Sequence, residues 1–380
     1  MKALYFRTLF RNMNDGIYHI LSMWNEPQDY TASVVYLCGA DASIPRTLSE
    51  DARFSDETFP IDLLVISHLN LQYLEYVIEM LELRRVKQII MPYIDKKQRA
   101  SLLRHLEGQE QPDKLTLNSK GRTFLRDPYR YALSKGVEEF RYLMGNGPAY
   151  EGQDTIPGGY FQPLEKSLDE KIWKEEDGFV PVYKAGYLIM NRWVLSFGVY
   201  QGNGYPTIVM YHGSIEDDLV EEDCVMSVKP FSFIQSCKGR MKGECDLCSL
   251  AYTHRSDFDL LKGHSKKALT EYENGTLLLG NMLLPGNVER LYHRFHYVKE
   301  KVRFLAVPNC GAKENWDYRV MGFGKENNYR YYACPVNTLS DADTFRTLGT
   351  ISPYIRLSML NEYYGPVSYT HLRAHETGRN

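Results

Sequence analysis

The segment on which the fold depends reads Ile61-Asp62-Leu63-Leu64-Val65-Ile66-Ser67-His68-Leu69-Asn70-Leu71-Gln72-Tyr73. Its apolar first half predicts a buried strand, and its second half begins as a polar turn. Residues 74–83 then carry apolar side chains at helical spacing, and residues 87–92 form a second apolar run. This order of strand, turn, helix and strand places the turn at the carboxyl end of a strand, where open α/β sheets bind their ligands.

The composition narrows the class of protein. A chain of 380 residues with 43% hydrophobic and 24% charged residues can form one large domain or two smaller ones. A net charge of −3 gives no general attraction to nucleic acid or anionic membranes. We find neither a signal peptide nor an apolar run of the roughly 18 residues that a membrane span needs. Seven cysteines in a chain this long are not a disulfide framework, so we expect a cytoplasmic protein.

Residues 67–73 resemble the metal-binding turn of the metallo-β-lactamase superfamily. In that family the turn reads His-x-His-x-Asp-His between a strand and a helix, and its side chains hold zinc and help to activate a water. His68 matches the first His, while Asn70, Gln72 and Tyr73 stand where the second His, the Asp and the last His belong. The frame of the motif is present, and most of its ligands are replaced.

Two later turns extend the resemblance. In the DNA-uptake-type branch of the superfamily one strand ends in Thr-Gly-Asp and another in Pro-His-His-Gly-Ser, and both turns supply metal ligands. This chain has Leu279-Gly280-Asn281 at the first place and Pro308-Asn309-Cys310-Gly311-Ala312 at the second. The resemblance implies an αββα four-layer sandwich in one domain, residues 1–366. Its halves would be 1–148 and 179–366, with a connector at 149–178 and an inserted Cys-containing loop.

The replaced residues predict that no metal binds at the hydrolase site. Zinc needs three or four nitrogen, oxygen or sulfur ligands, and the three turns offer only His68 and Cys310 as good ones. Cys38, Asp41 and His212 are further candidates that the spacing does not place. His68 and Cys310 are also the candidate catalytic residues, because a nearby His lowers the pKa of a thiol. The alternatives are a structural, hydrogen-bonded His68 and a packed free Cys310.

A separate group of cysteines suggests one structural zinc. Cys237, Cys245 and Cys248 include a Cys-x2-Cys pair, and His254 follows them. Either His254 or Cys224 could complete four ligands. The alternative is that these thiols are incidental.

A local run of basic residues leaves a third function open, namely nucleic-acid binding. The run lies between positions 84 and 104, and its alternative is an ordinary solvated surface. Its members are Arg84, Arg85, Lys87, Lys96, Lys97, Arg99 and Arg104.

The remaining elements follow from local pattern. Strands are expected at residues 4–10, 17–23, 31–38, 184–190, 193–200, 207–211, 275–281, 303–308, 318–322 and 329–334. Helices are expected at residues 96–106, 126–143, 255–272, 288–296 and 340–348. Residues 367–380 resemble the translation of a sequencing-adaptor remnant, and the alternative is an ordinary disordered tail. In either case the tail, with His371 and His375, is expected to have no role in the fold.

Together these patterns predict a catalytically degenerate metallo-β-lactamase-fold protein that acts as a binding or regulatory component. At the family level such proteins in bacteria often work in multi-gene systems, including defence systems, which implies a protein partner. A hydrolase with an unorthodox metal site and a nucleic-acid-binding module are the alternatives.

Overall fold

The first sheet contains the apolar run Ile61–Ile66 as a strand. In the computed structural model its nine described strands are β1 (Leu4–Asn12), β2 (Ile17–Asn25), β3 (Asp29–Cys38), β4 (Ile61–Ile66), β5 (Val86–Pro92), β6 (Glu139–Asn146), β7 (Val182–Ala185), β11 (Val225–Val228) and β12 (Ser249–Arg255). Their order is β11-β12-β1-β2-β3-β4-β5-β6-β7. The strands from β3 to β7 run parallel. Strand β4 lies inside the sheet between β3 and β5, and every one of its residues is buried.

The second sheet is formed by the later part of the sequence. Its eight described strands are β8 (Tyr187–Met190), β9 (Trp193–Gln201), β10 (Pro206–Ser214), β13 (Gly275–Leu278), β14 (Val302–Ala306), β15 (Tyr331–Pro335), β16 (Arg356–Asn361) and β17 (Gly365–Ser368). Their order is β17-β16-β15-β14-β13-β10-β9-β8. Strands β13 to β16 are parallel, whereas β8, β9, β10 and β13 pair antiparallel.

The structure describes residues 4–12, 17–25, 29–38, 60–69, 71–107, 119–147, 149–152, 180–190, 193–214, 225–228, 249–255, 275–323, 331–335, 356–361 and 365–368. Within them are five α-helices: α1 (Leu71–Leu83), α2 (Lys96–Glu107), α3 (Ser119–Arg126), α4 (Pro128–Ser134) and α5 (Val288–Arg294). None of these helices has both the length and the apolar composition that a membrane span requires. The described fold is therefore mixed α/β, with two sheets and five helices.

Each sheet buries one face against helices. On the first sheet Leu64 and Ile66 pack in one core with Val77 of α1 and Phe124 of α3. On the second sheet the residues at alternate positions, such as Tyr211 and Leu277, pack with Leu291 of α5. Because side chains of a strand alternate between faces, the intervening residues point to the opposite face. They are also buried: Val34, Tyr36, Leu63, Val65, Ile208 and Met210.

The sheets meet through those opposite faces. The Ile208 nitrogen of β10 donates to the Ser67 carbonyl at 2.6 Å, just beyond the end of β4. The side chain of Asn146 accepts a hydrogen bond from the Val199 nitrogen at 2.7 Å and donates to the Val199 carbonyl at 3.3 Å. Backbone polar groups are thus paired between the sheets as well as within them.

The backbone passes from the first sheet to the second at Gly186, and a buried arginine stabilises that crossing. Arg294 of α5 donates hydrogen bonds to the carbonyls of Gly147, Ala185, Gly186 and Phe197 at 2.6–3.0 Å. Burial lowers the pKa of Arg294 to about 10. One guanidinium, with its fork of donors, therefore satisfies carbonyls from both sheets at once.

Most predicted elements are present, and three are wrong. The single strand expected at 184–190 is two strands in different sheets, because β7 ends at Ala185 and β8 begins at Tyr187. The interval 126–143 is not helical throughout, because α4 ends at Ser134 and β6 begins at Glu139. Gly136 follows the end of α4 and has a φ of 82°. Helices commonly end at a residue in this left-handed conformation. The predicted strand at 318–322 is a 3₁₀ turn, in which the side chain of Asp317 accepts a hydrogen bond from the Arg319 nitrogen.

Several predictions lie partly or wholly outside the described residues. The expected helices at 340–348 and, beyond Arg255, at 255–272 lie there, as does all of the connector except 149–152. Val367 and Ser368, the first residues of the expected tail, belong to β17, and residues 369–380 lie outside the described part.

Candidate functional site at the strand ends

The first candidate turn follows β4 and is fixed by both sheets. The Ser67 nitrogen donates to the Leu37 carbonyl of β3 at 2.9 Å, while the Ser67 carbonyl accepts from Ile208 of β10. The side chains of Ser67 and His68 are buried, and Ser67 Oγ lies 2.7 Å from His68 Nδ1. His68 is therefore hydrogen-bonded at a strand end, which both sequence interpretations allow.

Cys38 joins this pair from the end of β3. Its thiol shares a hydrogen bond with the Ser67 hydroxyl, so a thiol, a hydroxyl and an imidazole lie in series. Burial raises the pKa of Cys38 to about 12, and the bond to Ser67 only partly offsets that effect. A thiol with this pKa stays protonated near neutral pH and is a poor nucleophile.

The second candidate turn follows β13 and reaches the same place. Gly280 has a φ of 61°, a left-handed conformation that favours glycine. A Cβ at Gly280 would lie 2.5 Å from Thr207 Oγ1 and 3.0 Å from the Tyr36 hydroxyl. That hydroxyl donates to the Ile208 carbonyl at 2.7 Å. Ile208 therefore connects the Gly280 turn to the Ser67–His68 turn.

The third candidate turn, Pro308–Gly311, follows β14 as a 3₁₀ turn. The Asn309 nitrogen donates to the Gly280 carbonyl at 3.1 Å, which joins the second and third turns directly. Asn309 has a φ of 42° and is the only non-glycine residue with a positive φ in the described part of the sequence. The left-handed region is tolerated by Asn better than by most residues, and this helps the turn to form.

Four asparagines, Asn203, Asn281, Asn309 and Asn315, form what we call the asparagine cluster. The side chain of Asn315 is fully buried and donates to the carbonyls of Asn281 and Met282 at 2.8 and 3.0 Å. Its Oδ1 accepts from Asn309 Nδ2 at 2.9 Å and from Asn203 Nδ2 at 3.1 Å. The side-chain amides of Asn203, Asn309 and Asn315 thus form one network, and Asn281 joins it through its backbone carbonyl.

Two buried oxygens beside this cluster have no hydrogen-bond partner among the described residues: Asn281 Oδ1 and Thr207 Oγ1. The amide oxygen of Asn281 packs against Gly202, where any Cβ would collide with it. A buried polar atom left without a partner costs about 1–3 kcal/mol, so such atoms often mark a strained or functional position.

The chemistry of the converged turns follows from these groups. Cys38, Ser67, His68 and the asparagine cluster are neutral or polar, and carboxylates do not contribute to the described turns. Among the described residues, no three side chains of the His, Cys, Asp or Glu type form a group that could hold a metal ion. Amides accept and donate hydrogen bonds well, but they bind zinc weakly and do not neutralise its charge.

The other predicted site residues have different positions. Gln72 and Tyr73 belong to the first turn of α1, Cys310 to the third candidate turn and His254 to β12, all described through their backbone. His212 is buried within β10 beside β13, where burial lowers its pKa to about 3. Outside the described residues lie Asn70, Asp41, Cys224, Cys237, Cys245 and Cys248.

The basic run between positions 84 and 104 is less exposed than its sequence indicates. Arg84 and Arg99 are buried, and Arg99 donates to the Ile94 carbonyl at 2.5 Å. Arg85 pairs with Glu138 and Lys87 with Asp62, at 2.8 and 2.7 Å. The members that lie exposed on α2 are Lys96, Lys97 and Arg104.

Asn315, Asn203 and Thr207 were missed by sequence reasoning. Asn203 could be identified only as part of a turn, and Asn315 lies in a polar loop with no motif around it. The sequence around each residue does not indicate its hydrogen-bond partner, because Asn315 and Asn203 are 112 positions apart.

Comparison of the sequence with protein-family models found no match, and comparison with curated protein sequences found none either.

Proposed function

We propose that this protein is a catalytically degenerate member of the metallo-β-lactamase type, with an αββα arrangement, that acts as a binding or regulatory component. The observation that carries the proposal is the asparagine cluster at the converged strand ends. Asn281 and Asn309 stand where the resembled family has metal ligands, and both bind the Asn315 amide, Asn309 through its side chain and Asn281 through its backbone carbonyl.

Neutral amides favour binding over hydrolysis. A metal lowers the pKa of its bound water only if its ligands hold it firmly, and amide oxygens do this poorly for zinc. The same amides recognise uncharged polar groups, because each presents a donor and an acceptor side by side. Among the described residues, the buried oxygens of Asn281 and Thr207 have no hydrogen-bond partner.

A protein partner in a reducing cytoplasm fits this proposal, in line with the family-level association with multi-gene defence systems. Under the proposal, the hydrolase site carries no cofactor. The proposal also includes one structural zinc at a separate place, with Cys237, Cys245, Cys248 and His254 as its ligands.

Metal analysis of the full-length protein and three variants tests the proposal. We expect a metal content that is unchanged in His68→Ala and in the exposed control His293→Ala. Replacing Cys237, Cys245 and Cys248 with Ser should remove about one metal per molecule if the structural site forms. Two metals per molecule that are lost with His68→Ala, but retained with His293→Ala, would overturn the degenerate-site proposal.

The hydrogen-bonded series Cys38–Ser67–His68 favours a second candidate, a hydrolase with an unorthodox site. In that case the Ser67 hydroxyl would be the reacting group and His68 its base. Activity against a panel of phenyl esters and phosphodiesters tests it. Loss of activity in both Ser67→Ala and His68→Ala, with Cys38→Ser active, would support the hydrolase. Absence of turnover by the wild-type protein would reject it.

A further inference from the structure

The tripeptide Gly-Asn-Gly occurs twice, at residues 145–147 and 202–204. The two asparagines have the same sequence neighbours, and both are exposed. An Asn-Gly pair is the sequence most open to attack of a backbone nitrogen on the preceding side chain, because glycine places no Cβ beside the reacting atoms. Any difference in reactivity between Asn146 and Asn203 must therefore come from the fold.

Hydrogen bonds protect Asn146 from this attack. Its side chain accepts from the Val199 nitrogen at 2.7 Å and donates to the Val199 carbonyl at 3.3 Å, which fixes the amide across the two sheets. The Gly147 nitrogen donates to the Ala185 carbonyl at 2.7 Å. Both the group that would be attacked and the nitrogen that would attack it are engaged.

At Asn203 both the side chain and the following backbone nitrogen are less restrained than at Asn146. It lies in the turn between β9 and β10, and its side chain bonds only to Asn315, at 3.1 and 3.4 Å, among the described residues. The Gly204 nitrogen donates no hydrogen bond to the described residues. Gly204 has a φ of 82°, and no heavy atom would lie within 4 Å of a Cβ there.

We propose that Asn203 is a site of spontaneous deamidation, whereas Asn146 is protected. The Gly204 nitrogen loses its proton and attacks Asn203 Cγ, forming a new bond between that nitrogen and Cγ. The bond between Cγ and Nδ2 of Asn203 breaks, and ammonia leaves with the proton taken up from water. Water then opens the five-membered imide at either carbonyl, and the product is Asp or isoaspartate. No oxidation or reduction takes place.

The modification changes the asparagine cluster chemically. Asn203 Nδ2 now donates to Asn315 Oδ1, and deamidation replaces that donor with a carboxylate oxygen. Two oxygens then face each other, and a negative charge appears in a neutral cluster. This inference does not depend on the proposed function, because the reaction needs only the turn geometry and water.

Peptide mapping by mass spectrometry tests the inference on the full-length protein. After incubation at mildly alkaline pH, we expect Asp and isoaspartate at position 203 and intact amide at position 146. The Asn146 reaction should be slower by about tenfold or more, given the hydrogen bonds that must break first. Raising the pH should accelerate the reaction at Asn203, because the attacking nitrogen must be deprotonated.

Two controls separate the effect of the fold from that of the sequence. In the urea-unfolded protein both tripeptides should react at similar rates, because their sequences are identical. Asn203→Gln should remove the modification at position 203, because the longer side chain forms the corresponding ring much less readily. Equal rates at the two positions in the folded protein, or faster reaction at Asn146, would overturn the proposal.

Discussion

The hydroxyl of Tyr36 donates a hydrogen bond of 2.7 Å to the carbonyl of Ile208, and this bond joins the two sheets at the candidate site. Tyr36 belongs to β3 of the first sheet and Ile208 to β10 of the second. Both residues are buried, so the bond is made away from water, where an unpaired carbonyl is costly.

Removing this hydroxyl should weaken the fold at the junction of the sheets. We expect Tyr36→Phe to lower the free energy of unfolding by about 1–2 kcal/mol, because the Ile208 carbonyl loses a buried donor. Urea denaturation measures the change. Tyr318→Phe is the matched control, since Tyr318 is 68% exposed, and it should change stability by less than about 0.5 kcal/mol. Equal effects of the two substitutions would contradict the role of Tyr36.

Gly280 should tolerate no side chain. Gly280→Ala forces a Cβ toward Thr207 Oγ1 and the Tyr36 hydroxyl and strains a φ of 61°, so we expect a loss of about 2–5 kcal/mol. Gly286→Ala is the control, because Gly286 has a φ of 76° and no atom would lie within 4 Å of its Cβ. It should lose only the conformational part, about 1–2 kcal/mol, in the same denaturation experiment. A similar loss in both variants would mean that packing at Gly280 is unimportant.

Arg294 should be indispensable to the crossing at Gly186. Arg294→Met leaves the carbonyls of Gly147, Ala185, Gly186 and Phe197 without this donor, and we expect a loss of about 3–5 kcal/mol. Arg290→Met, on the exposed side of the same helix, should cost less than about 0.5 kcal/mol. Thermal unfolding compares the two. Should Arg294→Met be as stable as Arg290→Met, the crossing does not depend on the guanidinium.

Buried His212 predicts loss of stability in acid. Its pKa falls from an ordinary 6.5 to about 3 because burial disfavours the charged ring. Between these values the unfolded protein binds a proton that the folded protein does not. Stability should therefore fall as the pH drops below about 6.5, by roughly 1.4 kcal/mol per pH unit from this group.

Urea denaturation across this pH range measures the slope. His212→Gln should flatten it, and the exposed control His293→Gln should not. A flattened slope in His293→Gln would assign the acid sensitivity to His293 and contradict the role of His212.

Much of the local structure could be predicted because it depends on near neighbours. The apolar run of β4 and the helical spacing in residues 74–83 each require only adjacent residues, and both elements form as expected. The helix at 126–143 was wrong because its last part pairs with β5, a contact 51 positions away between Gln88 and Glu139 that local pattern does not encode. The candidate turns could be located, but not the bonds between them.

Residue order alone specifies which chemical groups stand at the ends of β4, β13 and β14: one histidine, one cysteine and a set of neutral amides. How those groups meet depends on the packing of the two sheets. Ile208 of the second sheet connects Ser67 to Tyr36 of the first sheet, and Asn315 binds Asn203 from a different loop of the second sheet. The physical reason is that residue identity fixes what a group can donate or accept, whereas hydrogen bonds across more than a hundred positions form only after distant elements have packed.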